Sequence, residues 1–357
     1  MKKTLLLLVA VSAAQLGVAQ EITNEDFSGF TIGNLGTDIT GVTPGQMGYL
    51  TFASNGTAPT TTTNAGNDNF QIVDVEGDNG LVLQVTGPNG NKGSRFAWQE
   101  GLADVWISRE DGNEFIEVEF DLYTGAFTTS KNQMRVVIYD AANTTVLAGF
   151  SLAMDTKVIS GIANYDASAQ PGGTIANYLF FLGDAGTPLT LDEDAWVRVG
   201  MSFNYETGQV IWRGPGFNGF VIGAAAAVDP AEIDIIAVSG TTTTPAVSNT
   251  ASSAAWFDNI ITRITAEDTV LGVATPAYAV NQFAVYPNPS NDVVNINVNG
   301  SIMNSAEIVD LNGRVVKSVK LNGVSDATIN VADLASGVYM LNVSTENGKL
   351  TRKVVKN

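Results

Sequence analysis

Apolar and polar residues alternate with a period of two along much of this chain. The alternation is cleanest over residues 196–205, where Val197, Val199, Met201, Phe203 and Tyr205 share one side; this is the signature of a strand with one buried face. Residues 114–123 repeat it, with Val118, Phe120 and Leu122 on one side and Glu117, Glu119 and Asp121 on the other. Shorter runs predict strands over 70–75, 80–86, 93–98, 135–140, 145–152, 178–182, 209–213 and 255–265. Between them lie punctuators such as Pro88-Asn89-Gly90, a low-complexity loop at 60–64 and an acidic loop at 190–194. Only 229–233 has the pattern of a short helical turn. About a dozen strands in roughly 255 residues predict an all-β, two-sheet jelly-roll sandwich over 20–272.

A second, smaller unit is predicted over 283–357, after a linker at 273–282 that carries Pro276 and small residues. Strands are expected at 293–298, 308–311, 315–321, 327–331, 337–343 and 350–355, with Asn312-Gly313 as a two-residue hairpin turn. The stretch Tyr286-Pro287-Asn288-Pro289 opens this unit. Its prolines have no N–H to give a ladder, which predicts an edge strand or a strand entry. Six or seven short strands make this an Ig-like sandwich.

Charge divides the chain in the same place. From 280 onward there are six acidic and seven basic residues, whereas 20–279 holds thirty acidic and nine basic, a net of −21. So acidic a surface repels nucleic acid and anionic lipid; it fits solubility in a salty medium or the binding of divalent cations. At the start, Met1-Lys2-Lys3, the apolar run 5–13 and Gly17-Val18-Ala19 read as a secretory signal peptide over 1–19, cut before Gln20. No other stretch has eighteen consecutive apolar residues, so the mature protein is expected to have no transmembrane segment.

The chain contains neither cysteine nor histidine. That excludes disulfides, thiol catalysis, thiolate or imidazole metal sites and Ser-His-Asp hydrolysis. Carboxylate, tyrosine and lysine chemistry are left.

Four blocks of the smaller unit stand in order: Val285-Tyr286-Pro287-Asn288-Pro289, Val309-Asp310-Leu311-Asn312-Gly313-Arg314, Gly337-Val338-Tyr339-Met340-Leu341, and the basic end with Arg352-Lys353. Together they resemble the type A C-terminal sorting domain of the type IX secretion system of Bacteroidetes. The resemblance implies export through the outer-membrane translocon. It also implies removal of the tail by a sortase, and release of the remainder or its attachment at the cell surface. The larger unit resembles the concanavalin-like and laminin-G superfamily of lectins and glucanases more loosely, through Asp194-Ala195-Trp196-Val197-Arg198-Val199, residues 205–209 and Trp256-Phe257-Asp258-Asn259-Ile260.

Three constellations could carry chemistry. Glu117, Glu119 and Asp121 alternate on one strand, and a retaining glycosidase needs two carboxyls about 5–5.5 Å apart. Laminarinase-type glucanases carry Glu-x-Asp-x-Glu on such a strand; here the second and third identities are exchanged. The plainer expectation is a solvent-facing acidic face, with substitutions shifting stability by less than about 0.5 kcal/mol. For calcium, residues 74–80 fail the EF-hand pattern, with glycine at the seventh position, and read as a hairpin turn. Asp26 near the first strand and Asp258 near the last are the better pair, because in the jelly rolls the chain resembles an ion ties the two chain ends together. For sugar, Trp98, Trp106, Trp212, Phe217 and Phe220 supply aromatic rings. Arg213 and Asn218 stand beside two of them on a loop-like stretch, making Trp212, Arg213, Phe217 and Asn218 the expected ligand contacts. The sequence reading is therefore an exported, non-catalytic carbohydrate-binding or adhesive jelly roll. Its alternatives are a polysaccharide-degrading hydrolase or lyase and a structural surface or matrix protein.

Overall fold

The structure is a computed structural model describing residues 19–75, 80–243, 246–272, 283–298, 302–310, 314–345 and 348–357. The signal segment up to residue 18, the linker 273–282 and the Asn312-Gly313 turn lie outside the described residues. The chain divides into two compact units, Met1–Val273 and Ala274–Asn357.

The larger unit is a two-sheet jelly-roll sandwich. One sheet runs Phe217–Ile222, Gln209–Gly214, Trp196–Asn204, Phe115–Tyr123, Ala254–Thr265, Gly80–Thr86, Phe70–Val75 and Gly33–Asn34. The long strand Ala254–Thr265 serves two partners on one edge: its first residues pair with Gly80–Thr86 and its later ones with Gln20–Glu25. A bulge between Asp258 and Ile261 separates these halves. The second sheet runs Ile175–Phe181, Val158–Asp166, Val146–Ala153, Asn132–Tyr139, Glu232–Ser239, Ser94–Trp98 and Leu50–Ser54. Between the sheets lies one continuous core, including Val118, Phe120, Leu122, Val199, Met201 and Phe203 from the two clearest alternating strands.

Two of the strands absent from the sequence reading have identifiable reasons. Val158–Asp166 interrupts Val158, Ile159 and Ile162 with Ser160, Gly161 and Ala163, so it shows no period of two. Gly161 lies under the Trp212 indole, where a Cβ would come within 2.4 Å of ring carbon. Glu232–Ser239 does not alternate because both of its faces are covered, Ile235 and Ala237 by the main core and Ile236 by a satellite cluster with Val137, Val146 and Ile162. The expected helical turn at 229–233 therefore gives way to this strand, while the α-helix among the described residues of the unit is Leu102–Ile107. Phe70–Val75 and Gly80–Thr86 pair directly as a hairpin, Val75 opposite Gly80, across residues outside the described set.

The smaller unit has a three-stranded sheet of Phe283–Tyr286, Val293–Val298 and Asp326–Asn330, and a four-stranded sheet of Val315–Val324, Met303–Val309, Gly337–Thr345 and Gly348–Lys356. Its own core contains Val294, Ile296, Ile308, Ile329, Leu341 and Val343. The Tyr286-Pro287-Asn288-Pro289 stretch begins on the last residue of its first strand, an edge strand, and forms the exit from it, with Tyr286 exposed. It is tied to the last strand, where the Val355 N–H donates to Asn288 Oδ1 at 2.8 Å and the Ser290 N–H to the Val355 carbonyl at 2.8 Å. Tyr339 is buried and donates its hydroxyl to the Ala335 carbonyl at 2.8 Å. Among the described residues no helix is long and apolar enough to cross a membrane.

Candidate functional site

Strand parity places Trp196, Arg198 and Gly200 on the outer face of the first sheet, opposite the core-facing Val197 and Val199. Register then sets Tyr123 beside Trp196, Asp121 beside Arg198 and Glu119 beside Gly200. On the other side Trp256 pairs with Tyr123, Asp258 with Asp121, and Arg263 with Glu117. The face therefore reads as rows, aromatic at one end and charged at the other.

The charged end is covered. After its last strand the chain turns back as a strap over residues 267–272, and Val270 is fully buried. Gly200 makes the room: a Cβ there would sit 2.5 Å from a Val270 methyl. Beneath the strap Glu117 is 0% exposed and Glu119 6% exposed, so the expected solvent-facing acidic strand is not what folds. Glu117 accepts hydrogen bonds from the Thr269 N–H and, at 2.9 Å, from the Thr269 hydroxyl, with Arg263 Nε at 3.5 Å. Burial pushes the Glu117 carboxyl up, partly opposed by the Thr269 hydrogen bonds. Glu119 accepts the Leu271 N–H at 2.8 Å, pairs with Arg263 and takes Arg198 Nη2 at 3.1 Å. Both carboxylates are thus engaged by the strap and two arginines and lie beneath it, out of water. Asp121 is less covered; it accepts from Asn259 Nδ2 at 2.7 Å and lies 3.4 Å from Arg198 Nη1.

Trp212, Arg213 and Phe217 are also displaced from their expected role. Residues 209–222 form a hairpin with Trp212 opposite Gly219. Trp212 is 1% exposed in the core and donates its indole N–H to the Gly149 carbonyl at 2.8 Å. Phe217 is buried against Phe150, and a closed hairpin with inward parity leaves Asn218 as the exposed member of the four. Arg213, on the opposite face, is buried in a two-pronged pair with Asp268 of the strap. Trp106 is core as well and donates to Asp229 at 2.8 Å; Trp98 is partly exposed and Phe220 is 40% exposed.

Asp26 and Asp258 do lie at the seam expected for them, since Gln20–Glu25 pairs with Ala254–Thr265 and Glu25 stands opposite Ile260. Asp26 is exposed and caps Ser28, accepting its N–H at 3.0 Å and its hydroxyl at 2.7 Å. Asp258 is buried and accepts the Asn259 N–H at 2.8 Å. Among the described residues no group of three or more acidic side chains is arranged to hold a metal ion.

What remains open is the aromatic end. Trp256 and Tyr123 stack with centroids 4.5 Å apart at 15°, and Trp196 lies 5.4 Å from Tyr123. All three are partly exposed. Polar groups edge the row: Gln84 accepts the Trp256 indole N–H at 3.0 Å, and Tyr123 donates its hydroxyl to Asp194 at 3.1 Å. Sequence reasoning missed these rings, although a signal was present: each sits at a polar-face position of an alternating strand, Tyr123 in parity with Asp121 and Trp196 opposite Val197.

Comparison with known proteins separates the two units. Residues 284–357 match the family model described as the secretion system C-terminal sorting domain. The smaller unit is a type IX sorting domain. It marks the protein for the cell surface or the extracellular space and for interaction with the type IX secretion machinery. No curated protein matches the chain. Among solved structures it is similar to alginate lyase Aly36B (12% identity, 69% of this chain and 97% of that one, TM-score 0.38). It is also similar to a β-glucanase of Bacillus licheniformis (10%, 70% and 98%, 0.37). A sialidase overlaps at 12% identity over 54% of this chain, which spans only 17% of the sialidase, with a TM-score of 0.33. Likenesses this loose are shared by stacked antiparallel sandwiches and assign no activity.

Proposed function

We propose that the exported jelly roll binds polysaccharide without cleaving it, through the row of Trp196, Tyr123 and Trp256. The carrying observation is the register that sets three partly exposed aromatic rings side by side across three adjacent strands. Pyranose rings stack their C–H faces on indole and phenol, and Tyr and Trp are enriched at interfaces where one end is apolar and the other wet. One Trp256 face is taken by Tyr123, while the other is turned away from the stack. Cleavage is disfavoured by the strap, which occupies the carboxylates that hydrolysis would need.

The test uses the mature protein in affinity electrophoresis against a panel of neutral and acidic polysaccharides, with reducing ends and unsaturated products assayed in parallel. Retardation by at least one glycan is expected, weakened about tenfold or more in Trp256→Ala, with no product released. Equal retardation of wild type and Trp256→Ala sinks the aromatic site, and product release that persists on dilution makes the protein an enzyme. Retardation by none of the glycans leaves the structural role.

A further inference from the structure

A second concavity lies away from the aromatic row, between the two sheets at the end where the first strand enters. It has a volume of about 260 Å³, larger than the roughly 150 Å³ apolar cavity that admits benzene. Ile22, Val105, Val136, Ile233 and Ile260 give it apolar walls drawn from both sheets and from the helix. Glu25 places a carboxylate in it, accompanied by the buried Tyr49. Glu25 accepts the Phe27 N–H at 2.9 Å through Oε1. Half-burial disfavours its charged form, and a second carboxylate, Glu100, also lines the cavity. Among the lining residues there is no lysine or arginine.

We propose that this cavity binds a small organic amine, an ammonium head against Glu25 and an apolar body among Ile22, Val105, Val136 and Ile260. A half-buried carboxylate amid like charges gains most from a cation, because the cation both neutralises it and relieves its neighbours' repulsion. An anionic head meets the same field and is repelled. A hydroxyl fills the same volume but leaves the charge uncompensated. Apolar side chains form most of the walls, with Thr23, Gln99 and Thr262 among them, and this favours a ligand body of aryl or short alkyl type. This site is independent of the polysaccharide reading and lies on other residues.

The experiment compares three isosteric probes, 2-phenylethylamine, 2-phenylethanol and phenylacetate, by calorimetry on the mature protein at neutral pH and low salt. The amine is expected to bind at least tenfold more tightly than the alcohol, with phenylacetate not binding. Glu25→Gln is expected to reduce the amine to the level of the alcohol while leaving the alcohol unchanged. Nuclear Overhauser contacts from the bound phenyl ring should fall on the methyls of Ile233 and Ile260. Absence of amine binding, equal amine affinity in Glu25→Gln, or ring contacts elsewhere on the protein would each overturn the proposal.

Discussion

Arg213 and Asp268, 55 residues apart, close a two-pronged guanidinium–carboxylate pair with both side chains out of water. Arg213 also donates to the Val270 carbonyl at 3.2 Å, so the pair pins the strap to the sheet. Removing one member leaves the other charge buried, which typically costs about 3–5 kcal/mol. Asp268→Ala is therefore expected to lose stability on that scale in urea unfolding. A loss below about 1 kcal/mol would mean that the pair is solvated and the strap is loose.

The strap also depends on an absent side chain. Gly200→Ala places a methyl 2.5 Å from Val270 and 3.1 Å from Glu119, an overpacking expected to cost about 1–3 kcal/mol. A fragment ending at Gly272 is expected to melt cooperatively, whereas one ending at Thr265 should not. Equal melting of the two fragments would remove the strap from the folding unit.

Glu117 is expected to matter for stability and not for catalysis. Glu117→Ala strips the Thr269 N–H and hydroxyl of their acceptor beneath the strap, and a buried donor left unsatisfied costs about 1–3 kcal/mol. Chemical denaturation with a parallel assay of glycan cleavage checks both halves. A neutral substitution accompanied by lost cleavage would restore the carboxylate strand as an active site.

Asp234 gives the domain a pH dependence of defined sign. It is 3% exposed on the outer face of the second sheet, opposite Trp98 and Val137, with Oδ1 lacking a hydrogen-bond partner. Burial, and then the charge of Glu232, push its carboxyl up to about 9. The unfolded chain loses this proton near pH 4 while the folded chain keeps it, so stability falls as pH rises between roughly 4 and 9. Asp234→Asn is expected to flatten the decline and to gain about 1–3 kcal/mol at pH 8. A slope identical to wild type would show that Asp234 ionises freely in the fold.

Calcium is tested at the seam of the chain ends, where we propose that Asp26 and Asp258 hold it. Free calcium at about a hundred times the dissociation constant adds about 2.7 kcal/mol, seen as a rise of several degrees in melting temperature. Asp258→Ala should abolish the rise, and magnesium should give little of it because it demands tighter octahedral geometry. Identical melting in calcium and in chelator would leave the seam to the strand pair alone.

Local pattern was enough to determine the all-β class, the core-facing side of the alternating strands, and the sorting tail, because side-chain parity and turn residues are properties of neighbours in sequence. Val199, Met201 and Phe203 lie in the core as their alternation requires. Parity likewise separated Glu117, Glu119 and Asp121 from the core side of their strand. What covers that face was decided by tertiary structure: a strap folded back after residue 265 fills the space above Gly200 and takes the carboxylates out of water. Phe217 looked like a loop aromatic because Gly214, Gly216 and Gly219 surround it, yet the hairpin it forms with the strand of Trp212 turns both rings inward. Conversely, Trp196, Tyr123 and Trp256 are far apart in sequence and meet through the register of three strands. Parity tells which side of a strand a residue faces; strand order and chain return decide whether that side meets water, and neither is written in a period of two.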